Sequence, residues 1–246
     1  MDRLIYIAMT GAREITRQQA AVAHNLANVA THGFKQELNV FRALPVVGEG
    51  AKTRAFVLET TPRTDFTPGG IQYTGRPLDV AVRGSGWIAV QGPDGGEAYT
   101  RMGQLDVGPN GLLQTVQGHL VLGDAGPIAV PPDQEVAIAA DGTVSSIPAG
   151  AERTAVTIAG RIRLVNPPEA ELTRGQDGLF RRRDGQPAPA DASVKLAVGA
   201  LETSNVNPAE ALVNMISLSR QFELQMRLLR SADDNARAAD KLIART

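Results

Sequence analysis

Cysteine is absent from this chain. That excludes a disulfide framework and thiolate metal ligands, and it suits any redox compartment. Aromatic side chains make up only 4% of the residues, with a single Trp. So sparse a set argues against a stacking surface for bases or sugars. Neither sign of charge is in excess: 25 Lys and Arg meet 26 Asp and Glu. No electrostatic footprint for nucleic acid or anionic lipid is therefore present. No run approaches the length of a membrane-spanning helix. Arg13, Glu14 and Arg17 interrupt the start too early for a cleaved secretory signal. By these rules the cytoplasm is the default expectation, unless the protein leaves by a route that uses no cleaved signal.

Chemistry-bearing patterns are equally scarce. Histidine occurs 3 times. His24 and His32 are spaced for no metal motif, and no close acidic partner joins them. Ser85 in RGSGW does not match the nucleophile elbow, and its glycines precede no Lys-Ser/Thr pair. Acids such as Asp65, Asp79, Asp94, Asp106, Asp124, Asp133 and Asp141 fall mostly where turns need them. Arg181, Arg182 and Arg183 precede Asp184-Gly185 and read as a solvated hairpin tip. The expectation is no catalytic residue, no cofactor, no metal, no nucleic-acid partner and no small-molecule substrate.

What is present begins with the ends of the chain. Residues 3 to 32 hold no Pro and one Gly. Ile5, Ala8, Ala12, Ile15, Gln19, Val22, Leu26 and Val29 recur in alternating steps of three and four, the seam of helices that coil around each other. Gly33 suits the left-handed position that closes such a helix, and Phe34 would then fold back on Val29. Lys35 lies just beyond, near the negative helix end. At the other end, Asn207, Pro208 and Glu210 make a capping box with proline inside it. From there Ala211, Met215, Leu218, Phe222, Gln225, Leu229, Ala232, Ala236, Ala239 and Ile243 repeat the seam over a helix of roughly 54 Å. Gln19 and Gln225 are polar seam positions of the kind that set register. Leu4, Ile7, Leu212, Ile216, Leu224, Met226 and Leu228 lie off the seam; they either pack on the middle domain or, the favoured reading, meet neighbouring subunits.

The middle has another period. From 71 to 200, short alternating runs are split by PDGG (93 to 96), PNG (109 to 111) and ADG (140 to 142). That is the mark of an antiparallel all-β unit. Residues 37–70 are Pro- and Gly-rich and weakly periodic, an extended connector. The expected fold class is α+β: long N- and C-terminal helices forming a coiled-coil module, with an inserted antiparallel all-β middle domain. The expected divisions are 1–36, 37–70, 71–200 and 201–246.

Three stretches then resemble known signatures. NLANVATHGFK (25 to 35), YTGRPLDVAVRGSGWIAVQGPDGGEAYTRMGQLDVGPNGLLQTVQGHLVLG (73 to 123) and LETSNVNPAEALVNMISLSRQFELQMRLL (201 to 229) are similar, in order, to those of the bacterial flagellar rod and hook family. The first 35 residues are most similar to its proximal rod members. Asn25, Asn28, Gly33 and Phe34 match the N-terminal signature, and Asn205, Asn207, Pro208, Glu210, Met215 and Phe222 match the C-terminal one. The resemblance implies a structural subunit of the basal-body rod, a drive shaft that polymerises through its terminal helices and carries torque from motor to hook. It implies partners among copies of itself and other rod subunits, proximal and distal. It implies export through the flagellar export apparatus without a cleaved signal, to a rod that spans the periplasm. The expected assembly interface comprises the seam and the motif residues. A distal rod or hook subunit is the alternative within the family, and a cell-wall-active periplasmic enzyme the alternative outside it.

Overall fold

The computed structural model describes residues 2–45, 55–59, 63–131, 134–148 and 156–243. The chain divides into two compact units. Unit 1 takes Met1–Val29, Gln36–Asp65 and Val206–Thr246; unit 2 takes Ala30–Lys35 and Phe66–Asn205.

Unit 1 is built around two helices, α1 (Asp2–Ala27) and α2 (Pro208–Ile243). The start of α2 follows from its capping residues. The Asn207 carboxamide oxygen accepts from the N–H groups of Ala209 (3.1 Å) and Glu210 (3.3 Å), which satisfies two of the helix's orphan donors. Pro208 has no N–H to leave unpaired there. The helices run antiparallel: Gln19 Nε2 donates to Ser219 Oγ at 3.2 Å, and Gly11, earlier in α1, faces Gln225, later in α2. The seam lies between them. Ala8, Ala12 and Ile15 of α1 and Ala211, Leu218 and Ala232 of α2 are buried. Val22, Leu26, Met215, Phe222, Gln225 and Leu229 are half-buried. Small alanines on both sides let the backbones approach. The side chains of Ile5, Ala236, Ala239 and Ile243 lie outside the described ones.

The expected fold class needs correction. The described residues hold two α-helices only, so the expected α+β chain with a coiled-coil module gives way to a mostly β chain with one long helix near each end. The module around the helices is itself mixed. Phe41–Pro45 pairs antiparallel with Ala55–Glu59, Glu37–Leu38 pairs with Arg63–Thr64, and Ala55–Glu59 packs on α1. The heptad pattern is real but short-range evidence: it reports an apolar stripe, and strands later in the chain also lie against α1. The inserted all-β middle fits.

Unit 2 is antiparallel β. Its largest sheet has five strands in the order Leu164–Val165, Trp87–Gln91, Glu97–Thr100, Phe180–Arg182, Leu172–Arg174. The turns are those the sequence marked. Gly95 sits between Trp87–Gln91 and Glu97–Thr100, Gly111 between Leu105–Val107 and Leu113–Thr115, and Gly142 between Gln134–Ile138 and Thr143–Pro148, each with positive φ. Alternation along a strand sends successive side chains to opposite faces. Ile88, Val90 and Ala98 enter one core with Val80, Leu105, Leu113 and Val121. Trp87, Ala89 and Tyr99 enter a second with Phe180 and Leu172, where the Trp87 and Phe180 rings lie 4.7 Å apart. Both faces of the central strands are thus covered. The late strands Lys195–Val198 and Ala200–Glu202 pair with the early Val80–Arg83 and Ile71–Tyr73. The run Arg181-Arg182 is not a free hairpin tip: both side chains are half-buried, Arg181 pairing with Asp177 at 2.7 Å and Arg182 with Asp184 at 2.6 Å. The Arg181 hydrogen bond holds the Asp177 carboxyl below the usual range.

Candidate functional site

The N-terminal signature is where expectation and structure part. The helix expected to run to residue 32 and stop at Gly33 ends at Ala27. Asn28 closes it: its amide Nδ2 donates to the His24 carbonyl at 2.9 Å, and its backbone N–H donates to the same oxygen at 3.2 Å. Asn25, 3% exposed, uses both ends of its carboxamide on one residue. It donates to the Glu37 carbonyl (2.8 Å) and accepts from the Glu37 N–H (2.9 Å), the exchange a neighbouring strand would make. Val22, Asn25, Gln36, Asn207, Glu210 and Asn214 line one crevice of ≈ 20 Å³, about the room of a single water. Unit 1 thereby brings Asn25 of the first signature beside Asn207 and Glu210 of the last.

Gly33 does take φ 71°, for a reason the sequence did not reveal. Its N–H donates to the Glu202 carbonyl at 2.8 Å. A Cβ there would lie 2.4 Å from the Arg101 carbonyl carbon. Phe34 is buried in unit 2 with the Arg174 guanidinium 4.5 Å above its ring, in place of the expected helix-end clasp. Lys35 is not a helix-end charge. It is 1% exposed, and its Nζ donates to Glu202 Oε1 at 2.6 Å and to the Thr67 carbonyl at 2.8 Å.

Glu202 is the centre of this cluster. Its Oε1 also accepts from the Gly69 N–H at 3.0 Å, and its Oε2 accepts from Arg101 Nη1 at 3.0 Å. Arg101 Nη2 donates to the Gly84 carbonyl at 2.8 Å, and the guanidinium lies 5.2 Å from the centre of the Trp87 ring. All three charged groups are at least 96% buried. Such burial is tolerable only because nearly every polar atom finds a partner. Asn205 joins the same region, donating from Nδ2 to the Thr67 carbonyl at 3.1 Å and from its backbone N–H to the Phe34 carbonyl at 3.4 Å. Sequence reasoning missed Lys35, Arg101 and Glu202. The available signal was a charge beside one large apolar residue (Phe34, Met102, Leu201) inside each of the three quoted stretches.

A second feature belongs to the helices. Leu212, Val213, Ile216, Leu224 and Leu228 are 50–66% exposed on α2, and Tyr6 and Met9 are similarly exposed on α1. Leu212, Ile216, Leu224 and Leu228 follow steps of four, a continuous ridge interrupted only by Arg220. The expected off-seam residue Met226 is half-buried, and the side chains of Leu4 and Ile7 lie outside the described ones. Among the described residues no helix is long and apolar enough to cross a membrane.

The sequence is similar to those of known proteins along nearly its whole length. Residues 197–242 match the family model described as "Flagellar basal body rod FlgEFG protein C-terminal", and residues 81–146 match "Flagellar hook protein FlgE/F/G D1 domain". The chain is 47% identical over 250 residues to the flagellar basal-body rod protein FlgF of Escherichia coli (strain K12), covering 99% of each. It is 32% identical over 246 residues to the FlgF of Caulobacter vibrioides, covering 97% of each. It is also 32% identical over 254 residues to the FlgG of Buchnera aphidicola subsp. Baizongia pistaciae, covering 93% of this chain and 95% of that one. With three signature stretches in order, two family models matched and near-complete alignment at this identity, the chain belongs to the flagellar basal-body rod and hook family.

Proposed function

We propose that this chain is a structural subunit of the flagellar basal-body rod, in its proximal part, and not an enzyme. Its place is the flagellar basal body, and it assembles with other rod and hook subunits. The seam Ile5, Ala8, Ile15, Gln19, Val22 and Leu26 with Met215, Leu218, Phe222, Gln225 and Leu229 orders the helix pair; Val29, expected on the seam, follows the end of α1 at Ala27. Asn28 closes α1, Asn207 and Pro208 start α2 with Glu210 in its first turn, Asn25 ties α1 to Glu37, Asn205 holds the exit of the β unit to Thr67 and Phe34, and Gly33 and Phe34 fix the turn into that unit. The polymer contacts fall to the outer face of the helices.

The observation that carries this reading is the α2 ridge. Four large apolar side chains at least half exposed along one helix line are what a monomer avoids and a polymer covers. A shaft that transmits torque needs stiff axial elements with contacts between subunits, and a 36-residue helix supplies one. We further infer export through the flagellar apparatus without a cleaved signal and a rod position across the periplasm, both supported by the family's basal-body location.

The test is Leu224→Lys with Leu228→Lys, expressed from the native locus. The monomer keeps its circular dichroism and its melting temperature, while cells lose swimming and their isolated basal bodies stop short of a complete rod in electron micrographs. Swimming cells with complete basal bodies would refute the assignment of polymer contacts to this ridge.

A further inference from the structure

The charge cluster lies at a particular place in the chain. Unit 2 is entered at Ala30, left at Lys35, re-entered at Phe66 and left at Asn205. The segments at these crossings are 30–35, 66–70 and 202–205, and the cluster binds all three together. Lys35 joins the first to Glu202 of the third and to Thr67 of the second. Glu202 also reaches Gly69 of the second. Backbone bonds repeat the tie, from Gly33 to Glu202 (2.8 Å) and from Thr203 to Gly70 (2.7 Å). Arg101 anchors Glu202 to the strand-bearing body of the unit.

We infer that Lys35, Glu202 and Arg101 form a mechanical clasp. Force applied through α1 enters unit 2 at Ala30, and force applied through α2 enters it at Asn205. The clasp passes it to all three segments and to the Arg101 anchor at once. Without it, the load would rest on the backbone bonds from Gly33 to Glu202 and from Thr203 to Gly70 and on one short ladder, Ala200–Glu202 against Ile71–Tyr73, which can yield bond by bond. Buried charge suits the task, because separating the ions before water arrives is steeply unfavourable. The short, buried Lys35–Glu202 contact joins the segment that follows α1 to the segment that precedes α2. This inference rests on the rod reading for its purpose, since a shaft loads its subunits, but the device itself is a property of one molecule.

The experiment therefore uses the single full-length chain. Handles are attached at Asp2→Cys and Leu242→Cys, which is clean because the chain has no cysteine. Opening of unit 2 is timed at constant force. Glu202→Gln should raise the opening rate under load by roughly a hundredfold, the scale of a broken buried ion pair. Leu113→Ala, in the core away from the crossings, serves as the control, with denaturant chosen so that both variants have equal equilibrium stability. Under load the control should open much more slowly than Glu202→Gln. Equal opening rates for the two, or no acceleration by Glu202→Gln, would overturn the clasp. Where Glu202→Gln does not fold, Arg101→Lys keeps the charge and loses the reach to the Gly84 carbonyl, with the same expectation and the same refutation. Neither result bears on rod assembly, which the ridge substitutions test separately.

Discussion

Replacing Lys35 by Met isolates the energetic role of the buried charges. Methionine keeps most of the unbranched stem, so packing around it is preserved. What disappears is the donor to Glu202 Oε1 at 2.6 Å and to the Thr67 carbonyl at 2.8 Å. Breaking a buried ion pair from one side costs about 3–5 kcal/mol. Glu202 keeps Arg101 and the Gly69 N–H, which points to the lower end, about 3 kcal/mol. The single Trp makes the assay direct. Trp87 is 3% exposed in unit 2, with the Arg101 guanidinium 5.2 Å from its ring centre, so its fluorescence follows that unit. With a urea slope of about 1–3 kcal/mol per M, the midpoint should fall by about 1–3 M. The triple variant Lys35→Met, Arg101→Met, Glu202→Leu removes every charge together and should be more stable than Lys35→Met alone, because no ion is left buried without a partner. An unchanged midpoint for Lys35→Met, or a triple variant that loses the sum of three single losses, would refute this account of the cluster.

Other expectations follow from single contacts. Gly33→Ala places a methyl 2.4 Å from the Arg101 carbonyl carbon at φ 71° and should prevent unit 2 from closing, seen as an exposed Trp87 emission in native buffer. Asn207→Ala removes the cap of α2 and should cost about 1 kcal/mol, measured by helix melting in circular dichroism. Tyr99 is buried, its hydroxyl donating to Glu97 at 2.9 Å and accepting from the Ala188 N–H at 2.8 Å. Burial, aided by Glu97, pushes its pKa up to about 12. A raised folded value means stability complete below the ordinary value of 10 and lost as pH rises toward about 12. Alkaline unfolding in that window should flatten in Tyr99→Phe. Arg181→Ala should remove part of the acid sensitivity below the ordinary Asp value of 3.8, because Asp177 is held low by that arginine and its contribution is lost as pH falls through the folded value.

Much of this protein is decided by neighbours in sequence. The α2 start follows from Asn207-Pro208 and three or four residues of local hydrogen bonding. The hairpin turns follow from glycines at Gly95, Gly111 and Gly142, where left-handed backbone is cheap. The seam is legible because a helix places residues three and four apart on one face. The signature stretches carry the family. Three things were decided only in three dimensions. α1 stops at Ala27 because Asn28 caps it and the following turn enters unit 2, so Gly33, six residues on, closes no helix. The helices are not a self-standing coiled coil, since strands from 37 to 64 belong to the same unit. And Lys35, Arg101 and Glu202, separated by up to 167 residues, meet in one buried cluster. Periodicity reports which face of an element is apolar; it carries no information about which distant charge will neutralise a buried one, because that pairing is set by the strand order that brings Ala200–Glu202 beside Ile71–Tyr73.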